Sequence, residues 1–261
     1  MTLGNLTTFL FVPGNRPERF EKAAASGADA VIIDLEDAVP PSAKDEARAA
    51  LRCDFGTPVI VRINGETTPW YAEDLAVVLR LGVDAIILPK AELGGAMPEL
   101  VRESAVSIMA LIETAKGLSQ ARQIAALPGV ARLIFGSVDF CADLGCAHSH
   151  EALLAARCEL VLASRLAGLA APIDGVTTAI DDHDLITSDA RRGCDLGFGG
   201  KLAIHPAQIA AIRAGFAPTD AEIAWARKVV SSGDGAAAVD GSMVDEPVRI
   251  RARVILDRSA R

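Results

Sequence analysis

The chain has 261 residues, 51% hydrophobic and 23% charged, enough for one substantial core and near the usual size of a single α/β barrel. A formal net charge of −8 and a pI near 5.1 argue against a phosphate-backbone binder, which needs a basic patch. No apolar run of about 18 residues marks a membrane span, and the first residues lack the basic and apolar pattern of a secretory leader.

The five cysteines, Cys53, Cys141, Cys146, Cys158 and Cys194, form no C-x-x-C pair. This odd, unspaced set fits the reducing cytoplasm, the expected location, and fails zinc spacing. Cys146 lies near His148, but two ligands do not make a zinc site.

Short apolar runs recur in order at 8–12, 30–35, 58–63, 85–89, 106–112, 131–135, 172–177 and 199–204. Between them lie helical patterns rich in Ala, Leu, Glu and Arg, at about 17–26, 42–52, 70–81, 96–104, 116–126, 150–170, 182–194 and 206–214. Continuous apolar strands alternating with amphipathic helices imply a parallel sheet covered on both faces. Eight such units predict a closed (β/α)8 TIM barrel over residues 1–216. An open doubly wound sheet would more often carry a Gly-rich fingerprint after its first strand, and here that strand ends in Pro13-Gly14-Asn15-Arg16-Pro17.

The pattern changes over 217–261, read as a helical lid extension. Thr219 or Asp220 starts a helix of about 221–231. The small-residue stretch 233–241 suits a mobile turn, and a closing helix of about 246–257 follows.

In such a barrel the strand C-termini face one mouth, where catalytic residues gather. That rule collects Glu36, Asp37, Arg62, Lys90, Glu113, Asp139 and Lys201 around one opening. Glu113 and Asp139 each follow an apolar run, where strand propensity and core packing explain a carboxylate poorly. Oxygen ligands without grouped His or Cys select a hard cation, Mg2+ or Mn2+. Two carboxylates with substrate oxygens and waters would complete an octahedron around a chelating 2-oxo or 2-hydroxy acid. Arg62 is the counterion for that acid, its planar fork matching both carboxylate oxygens. Gly136, between the two acids, is a candidate substrate contact.

Each residue has a plainer alternative. Glu113 and Asp139 could hold loops, Arg62 could pair with a barrel acid, and Glu36 and Asp37 could be helix N-terminal acids. Asp34, inside an apolar strand, suits a barrel-interior hydrogen bond. Lys90 could be a Schiff-base lysine, a route that metal carboxylates make redundant. His205 is read as capping the last helix or making a structural hydrogen bond, and His148, His150 and His183 as solvated loop residues.

Several segments together carry a resemblance: Phe11-Val12-Pro13-Gly14-Asn15-Arg16-Pro17-Glu18-Arg19-Phe20, Asp34-Leu35-Glu36-Asp37-Ala38-Val39, Val61-Arg62-Ile63-Asn64, Leu88-Pro89-Lys90, Ile112-Glu113-Thr114, Phe135-Gly136-Ser137-Val138-Asp139 and Lys201-Leu202-Ala203-Ile204-His205-Pro206. In this order they resemble the citrate lyase beta-subunit-like branch of the HpcH/HpaI aldolase family, which includes malyl-CoA and citramalyl-CoA lyases. The resemblance implies a Mg2+-dependent carbon–carbon lyase of acyl-CoA substrates, with Glu113 and Asp139 on the metal and Arg62 on the substrate carboxylate. Gly241-Ser242-Met243-Val244-Asp245 resembles the family's lid motif, which implies that Asp245 does acid/base work in a neighbouring subunit of a homotrimer or dimer of trimers. Arg16 and Lys90 are candidates for stabilising an enolate, and Arg16 also for the CoA phosphates. Rival expectations are an aldolase on free pyruvate, a malyl-CoA thioesterase, and a citrate lyase-like subunit inactive without its partners.

Overall fold

Eight parallel strands close into a barrel in strict sequence order, β1-β2-β3-β4-β5-β6-β7-β8, with β8 returning to pair with β1. They are β1 (Thr8–Pro13), β2 (Ala30–Asp34), β3 (Val59–Arg62), β4 (Ala85–Leu88), β5 (Ser107–Ile112), β6 (Val130–Phe135), β7 (Ile173–Asp174) and β8 (Gly200–Ala203). The predicted TIM barrel is therefore the observed fold. The computed structural model describes residues 3–95, 97–233, 235 and 237–259.

The barrel interior follows from the two-residue period of a strand. Ala30 and Ile32, Ile60, Ala85 and Ile87, Met109 and Leu111, Ile134, Ile173 and Leu202 form one buried cluster with Phe9 and Leu6. Extending each alternation toward the strand C-terminus puts Asp34, Arg62 and Glu113 on the same inner face. The apolar interior thus ends in a charged layer at the mouth.

Helices α1 (Phe20–Ala24), α2 (Lys44–Ala49), α3 (Tyr71–Leu81), α4 (Met97–Glu103), α5 (Ala115–Ser119), α6 (Ala121–Ala125), α7 (Ser137–Leu144), α8 (His150–Leu166), α9 (His183–Leu196) and α10 (Gln208–Phe216) connect the strands. Two helical segments and one strand differ from the sequence reading. The helix predicted at 116–126 is broken at Gln120, whose φ of −106° and ψ of 1° leave the helical region while its side chain accepts the Leu93 N–H at 2.7 Å. α7 was not predicted: Gly136 and the left-handed Gly145 bracket its eight residues, a start and a stop that place Asp139 on a helix. The strand predicted at 172–177 keeps two residues: past Asp174, the Gly175 carbonyl accepts from the Lys201 side chain, Nζ at 2.7 Å, in place of a main-chain ladder partner.

One compact unit ends at Gly215 and a second begins at Phe216. The second holds α11 (Asp220–Ser231), β9 (Ala237–Val239), β10 (Ser242–Val244) and α12 (Glu246–Ser259). Thr219 and Glu222 close a capping box at the start of α11. Ala226, Val229, Val244, Ala252 and Ile255 pack into this unit's own core. The stretch expected to be a mobile turn forms an antiparallel hairpin, with Ser242 opposite Val239. Asp240 (φ 50°) and Gly241 (φ 77°) make its tip, the Asp-Gly pair that a two-residue hairpin turn favours. Asp234 and Ala236 of that stretch lie outside the described residues. No helix among the described residues is long and apolar enough to cross a membrane.

Candidate active site

Asp34 and Arg62 end adjacent strands and are register partners. Arg62 Nε donates to Asp34 Oδ1 at 2.7 Å and Nη2 to Oδ2 at 2.8 Å, a bidentate pair buried in the mouth. Burial alone would raise the Asp34 carboxyl, but the Arg62 charge and its hydrogen bonds hold it below the usual carboxylate range. The guanidinium also lies 5.0 Å from the Phe11 ring centroid. The sequence favours substrate for the fork, with a barrel acid as the plainer alternative. The structure commits the Nε edge to Asp34, and the opposite edge carries Nη1, 3.0 Å from Glu36 Oε2 and 3.5 Å from Asp37 Oδ2. A substrate carboxylate would meet Arg62 on that second edge, displacing or bridging these acids. Asp34 takes the interior hydrogen-bonding role expected of it.

Glu113 directly follows β5 and is 2% exposed. Its Oε1 accepts the Lys90 main-chain N–H at 2.8 Å, and its Oε2 is buried with no hydrogen-bond partner among the described residues. Burial, then the neighbouring Glu36 charge, pushes the Glu113 carboxyl up to about 8, against the pull of Lys90 and Arg62. Lys90 follows β4 in a left-handed conformation, φ 49°, which a non-glycine residue adopts at a cost. Lys90 Nζ donates to Glu36 Oε1 at 2.7 Å and stands 3.8 Å from Glu113 Oε1. Burial opposes the ammonium, yet hydrogen bonding to Glu36 raises the Lys90 pKa overall. Glu36 is itself pushed up, by burial first, against Arg62 and Lys90. Glu36, Arg62, Lys90 and Glu113 therefore make one contiguous group.

Gly136 is the floor beneath Glu113. A Cβ added there would stand 2.5 Å from both Glu113 Cβ and Oε2, so only glycine lets the carboxylate lie over the start of α7. Asp139 lies on the first turn of α7, half-buried. It is four residues past the end of β6, not at a strand end as the sequence reading had it. Among the described residues no three His, Cys, Asp or Glu side chains gather as a metal cluster. A cation between Glu113 and Asp139 would accordingly depend on substrate oxygens and water for the rest of its shell. The orphaned, buried Glu113 Oε2 and its glycine cradle fit such an oxygen-bound ion.

The other sequence candidates lie at the edge of this group or apart from it. Arg16 is solvent-exposed and paired with Glu18 at 2.6 Å. Asp37 is largely exposed, at the edge of the Arg62 contacts. Lys201 was expected at the mouth, but it is fully buried, with Nζ on the Gly175 carbonyl and 3.7 Å from Asp174. Since Leu202 and Ile173 face the barrel interior, alternation turns Lys201 and Asp174 toward the helical layer, where Arg157 of α8 meets Asp174 at 2.9 Å. Asp245 belongs to the second unit and precedes α12, its Oδ1 accepting the Val248 N–H at 3.4 Å. His148, read as a solvated loop residue, is exposed but shares a 2.9 Å hydrogen bond with Ser137 Oγ. His150 pairs with Asp189 at 3.0 Å. His205 Nδ1 accepts the Ala207 N–H just before α10, a local turn contact of the kind expected.

Sequence reasoning missed Lys44 and Asn64, both buried beside the mouth. Lys44 Nζ donates to the carbonyls of Leu35 (2.6 Å) and Glu36 (2.8 Å) and to Asn64 Oδ1 (2.6 Å). Asn64 Nδ2 donates onward to Asp74 Oδ2 at 2.6 Å, and Arg48 Nε meets Asp74 Oδ1 at 2.9 Å. In sequence Lys44 and Arg48 read as an ordinary solvated helix face. Asn64 directly after Ile63, at the end of an apolar run, was the available signal.

The chain is similar to known proteins over nearly its whole length. It is 38% identical over 279 residues to the citrate lyase subunit beta-like protein of Deinococcus radiodurans, covering 98% of each chain. It is 35% identical to the (3S)-malyl-CoA thioesterase of Cereibacter sphaeroides, covering 96% of this chain and 93% of that one. Among solved structures, the CitE protein of Mycobacterium tuberculosis in complex with magnesium, acetoacetate and coenzyme A superposes with a TM-score of 0.89 at 34% identity, covering 99% of this chain and 100% of that one. The HpcH/HpaI aldolase/citrate lyase family model matches residues 7–206, and the chain belongs to that family.

Proposed function

We propose that this protein is a Mg2+-dependent carbon–carbon lyase cleaving a 3-hydroxyacyl-CoA thioester, of malyl, citramalyl or citryl type, to acetyl-CoA and a 2-oxo acid. The observation that carries this reading is Glu113 Oε2, buried above Gly136 with no hydrogen-bond partner among the described residues, while Glu113 Oε1 meets the Lys90 main-chain N–H and stands 3.8 Å from Lys90 Nζ. Glu113 and Asp139 would hold the ion, which as a Lewis acid supplies polarisation of the substrate oxygens. Mn2+ would serve the same oxygen donors. A relative's complex with magnesium, acetoacetate and coenzyme A supports both the metal and the substrate class.

The chain's own residues supply the rest. Arg62, fixed by Asp34, offers its Nη edge to the acid's carboxylate. A base takes the hydroxyl proton, the carbon–carbon bond breaks, and its electron pair passes to the acetyl-CoA enolate, which is then protonated. Lys90 contributes positive charge near the developing oxyanion, and preorganised charge of this kind is worth about 3–4 kcal/mol per donor. Arg16, exposed beside the mouth loop, suits the CoA phosphates. Asp245, acting in a neighbouring subunit of a homotrimer or dimer of trimers, is the acid/base group. Glu36 and Asp37 tune Arg62 and Lys90.

Purified protein with Mg2+ and a panel of malyl-, citramalyl- and citryl-CoA tests the reading. Acetyl-CoA release with at least one is expected, and release with none overturns it. Thioester hydrolysis is the second reading, favoured by the 35% identical malyl-CoA thioesterase. The same panel separates the two, because hydrolysis yields free CoA and the hydroxy acid instead. Activity only on addition of acyl-carrier partners would mark a complex-bound subunit, as the name of the 35% identical citrate lyase subunit beta of Leuconostoc mesenteroides suggests.

A further inference from the structure

The turn after β2 carries Glu36 and Asp37 into the mouth, and it is held from two sides. From the barrel interior, the Asp34 carboxylate accepts the Glu36 and Ala38 main-chain N–H groups, each at 2.9 Å. From the opposite side, Lys44, the first residue of α2, donates to the Leu35 and Glu36 carbonyls and to Asn64 Oδ1. Asn64 Nδ2 donates to the same Leu35 carbonyl at 2.9 Å.

All three Lys44 ammonium protons are thus engaged, and none of its three acceptors is a carboxylate. A lysine is the only side chain that presents three donors from one atom. Lys44 is 5% exposed, and its ammonium lies 5.1 Å from the Trp70 ring centroid. Taking such a charge out of water is costly unless hydrogen bonding and nearby charge compensate. Burial lowers the Lys44 pKa, and the charges of Asp34 and Asp74 first, then Glu36 and Asp37, offset part of that effect. A residue needed only to satisfy two carbonyls could have been neutral. A buried cation fits a site that must hold three acids, Asp34, Glu36 and Glu113, within one small mouth.

We propose that Lys44 is a positioning residue for the reaction: by fixing the Leu35 and Glu36 carbonyls it aims the Glu36 carboxylate at Lys90 and Arg62. This rests on the lyase reading for its catalytic consequence, and on geometry alone for its structural one. The chain of contacts is Lys44 Nζ to Glu36 O, then Glu36 Oε1 to Lys90 Nζ at 2.7 Å and Glu36 Oε2 to Arg62 Nη1 at 3.0 Å. Without Lys44 the turn keeps its N–H anchors on Asp34 but loses its carbonyl anchors, so the peptide planes can tilt and swing the Glu36 side chain away.

The test uses the full chain with Lys44→Met, which keeps volume and removes the donors, and Lys44→Gln, which keeps one donor group. Two quantities are read: the rate at which acetic anhydride acylates Lys90 in metal-free protein, mapped by mass spectrometry, and kcat and KM on the acyl-CoA panel. Lys90, freed from Glu36, should be acylated several-fold faster in the Met variant and by an intermediate factor in the Gln variant. The Met variant's kcat/KM should fall roughly 10–100-fold, the usual effect of losing a group that orients a site residue. A folded Met variant that loses thermal stability while Lys90 keeps its wild-type acylation rate would overturn the proposal and leave Lys44 a purely structural residue. If neither lysine variant folds, Asn64→Ser, which removes one of the three acceptors, carries the same two measurements. If the wild-type protein shows no lyase activity, the lyase reading fails, while the acylation rates still decide for or against Lys44.

Discussion

The main-chain N–H of Lys90 donates a 2.8 Å hydrogen bond to Glu113 Oε1, and Lys90 does so from φ 49°. The left-handed backbone puts its amide toward the end of β5 while its ammonium reaches Glu36. One residue thereby serves Glu113 with its backbone and Glu36 with its side chain. Strain of this kind costs about 1–3 kcal/mol and persists where surrounding contacts over-determine it. Lys90→Gly should separate the two roles. Relief of strain should leave thermal stability at or above wild type, while loss of the ammonium lowers acyl-CoA turnover about 100-fold. Calorimetry and steady-state kinetics on the same preparation check both.

Gly136→Ala should weaken Mg2+ binding without unfolding the barrel. The new Cβ would overlap Glu113 Cβ and Oε2, each 2.5 Å away, and the freest atom to move is the carboxylate. Isothermal titration with Mg2+ and pyruvate should show at least a tenfold weaker complex than wild type, on the scale seen when ligand orientation is lost. Circular dichroism should be unchanged. Glu113→Ala should bind no Mg2+ in the same titration, and normal binding by that variant refutes the ligand assignment.

The Glu113 carboxyl, raised by burial and Glu36 from 4.5 to about 8, sets two pH dependences. In metal-free protein the folded state holds this proton more tightly than the unfolded chain does. Its contribution to stability is full below about 4.5 and is lost as pH rises through about 8. Glu113→Gln imitates the protonated form, so its stability advantage over wild type in urea denaturation should widen across that window. Because a carboxylate must be ionised to bind a cation, wild-type Mg2+ affinity should climb with pH and level off near 8. An affinity independent of pH between 6 and about 8 would contradict this environment for Glu113.

Arg62 and Asp34 form a buried bidentate pair, so removing one partner strips the other buried charge of its two-point contact. Asp34→Asn and Arg62→Met should each destabilise the protein by about 3–5 kcal/mol, measured by denaturant titration. The double replacement by apolar residues should recover part of that loss. Arg62→Lys should keep the charge but not the two-point contact, and should raise KM for acyl-CoA even where the protein stays folded.

If Asp245 works in a neighbouring subunit, Asp245→Ala and Glu113→Ala are each inactive alone but complementary together. Refolding the two variants as a mixture should restore partial lyase activity, while each refolded separately stays inactive. Absence of recovery, with mixed oligomers confirmed by native mass spectrometry, would place Asp245 in cis or outside the reaction.

The barrel was legible in the sequence because a parallel strand buried on both faces must be apolar along its length. Eight such runs, spaced by amphipathic helices, leave little topological freedom. The acids and Arg62 stood out for the same reason, since Glu113 after Leu111-Ile112 has no place in a packing pattern. Where local rules were overlooked, the signal was nevertheless present: Asp240-Gly241 is a hairpin turn, and Gly136 and Gly145 bracket α7. Other features depend on contacts distant in sequence, which no local pattern encodes. Lys44 and Arg48 look like surface helix charges until Asn64, from the segment after β3, and Asp74, from α3, arrive to bury them. Lys201 looks like a strand-end lysine until alternation turns it outward to Gly175 and Asp174. The sequence by itself determined the strand order, the apolar interior and which charges had to be accounted for. Only the tertiary structure decided how those charges pair, because the pairing of buried charges depends on distances of a few ångströms between strands and turns far apart in the chain.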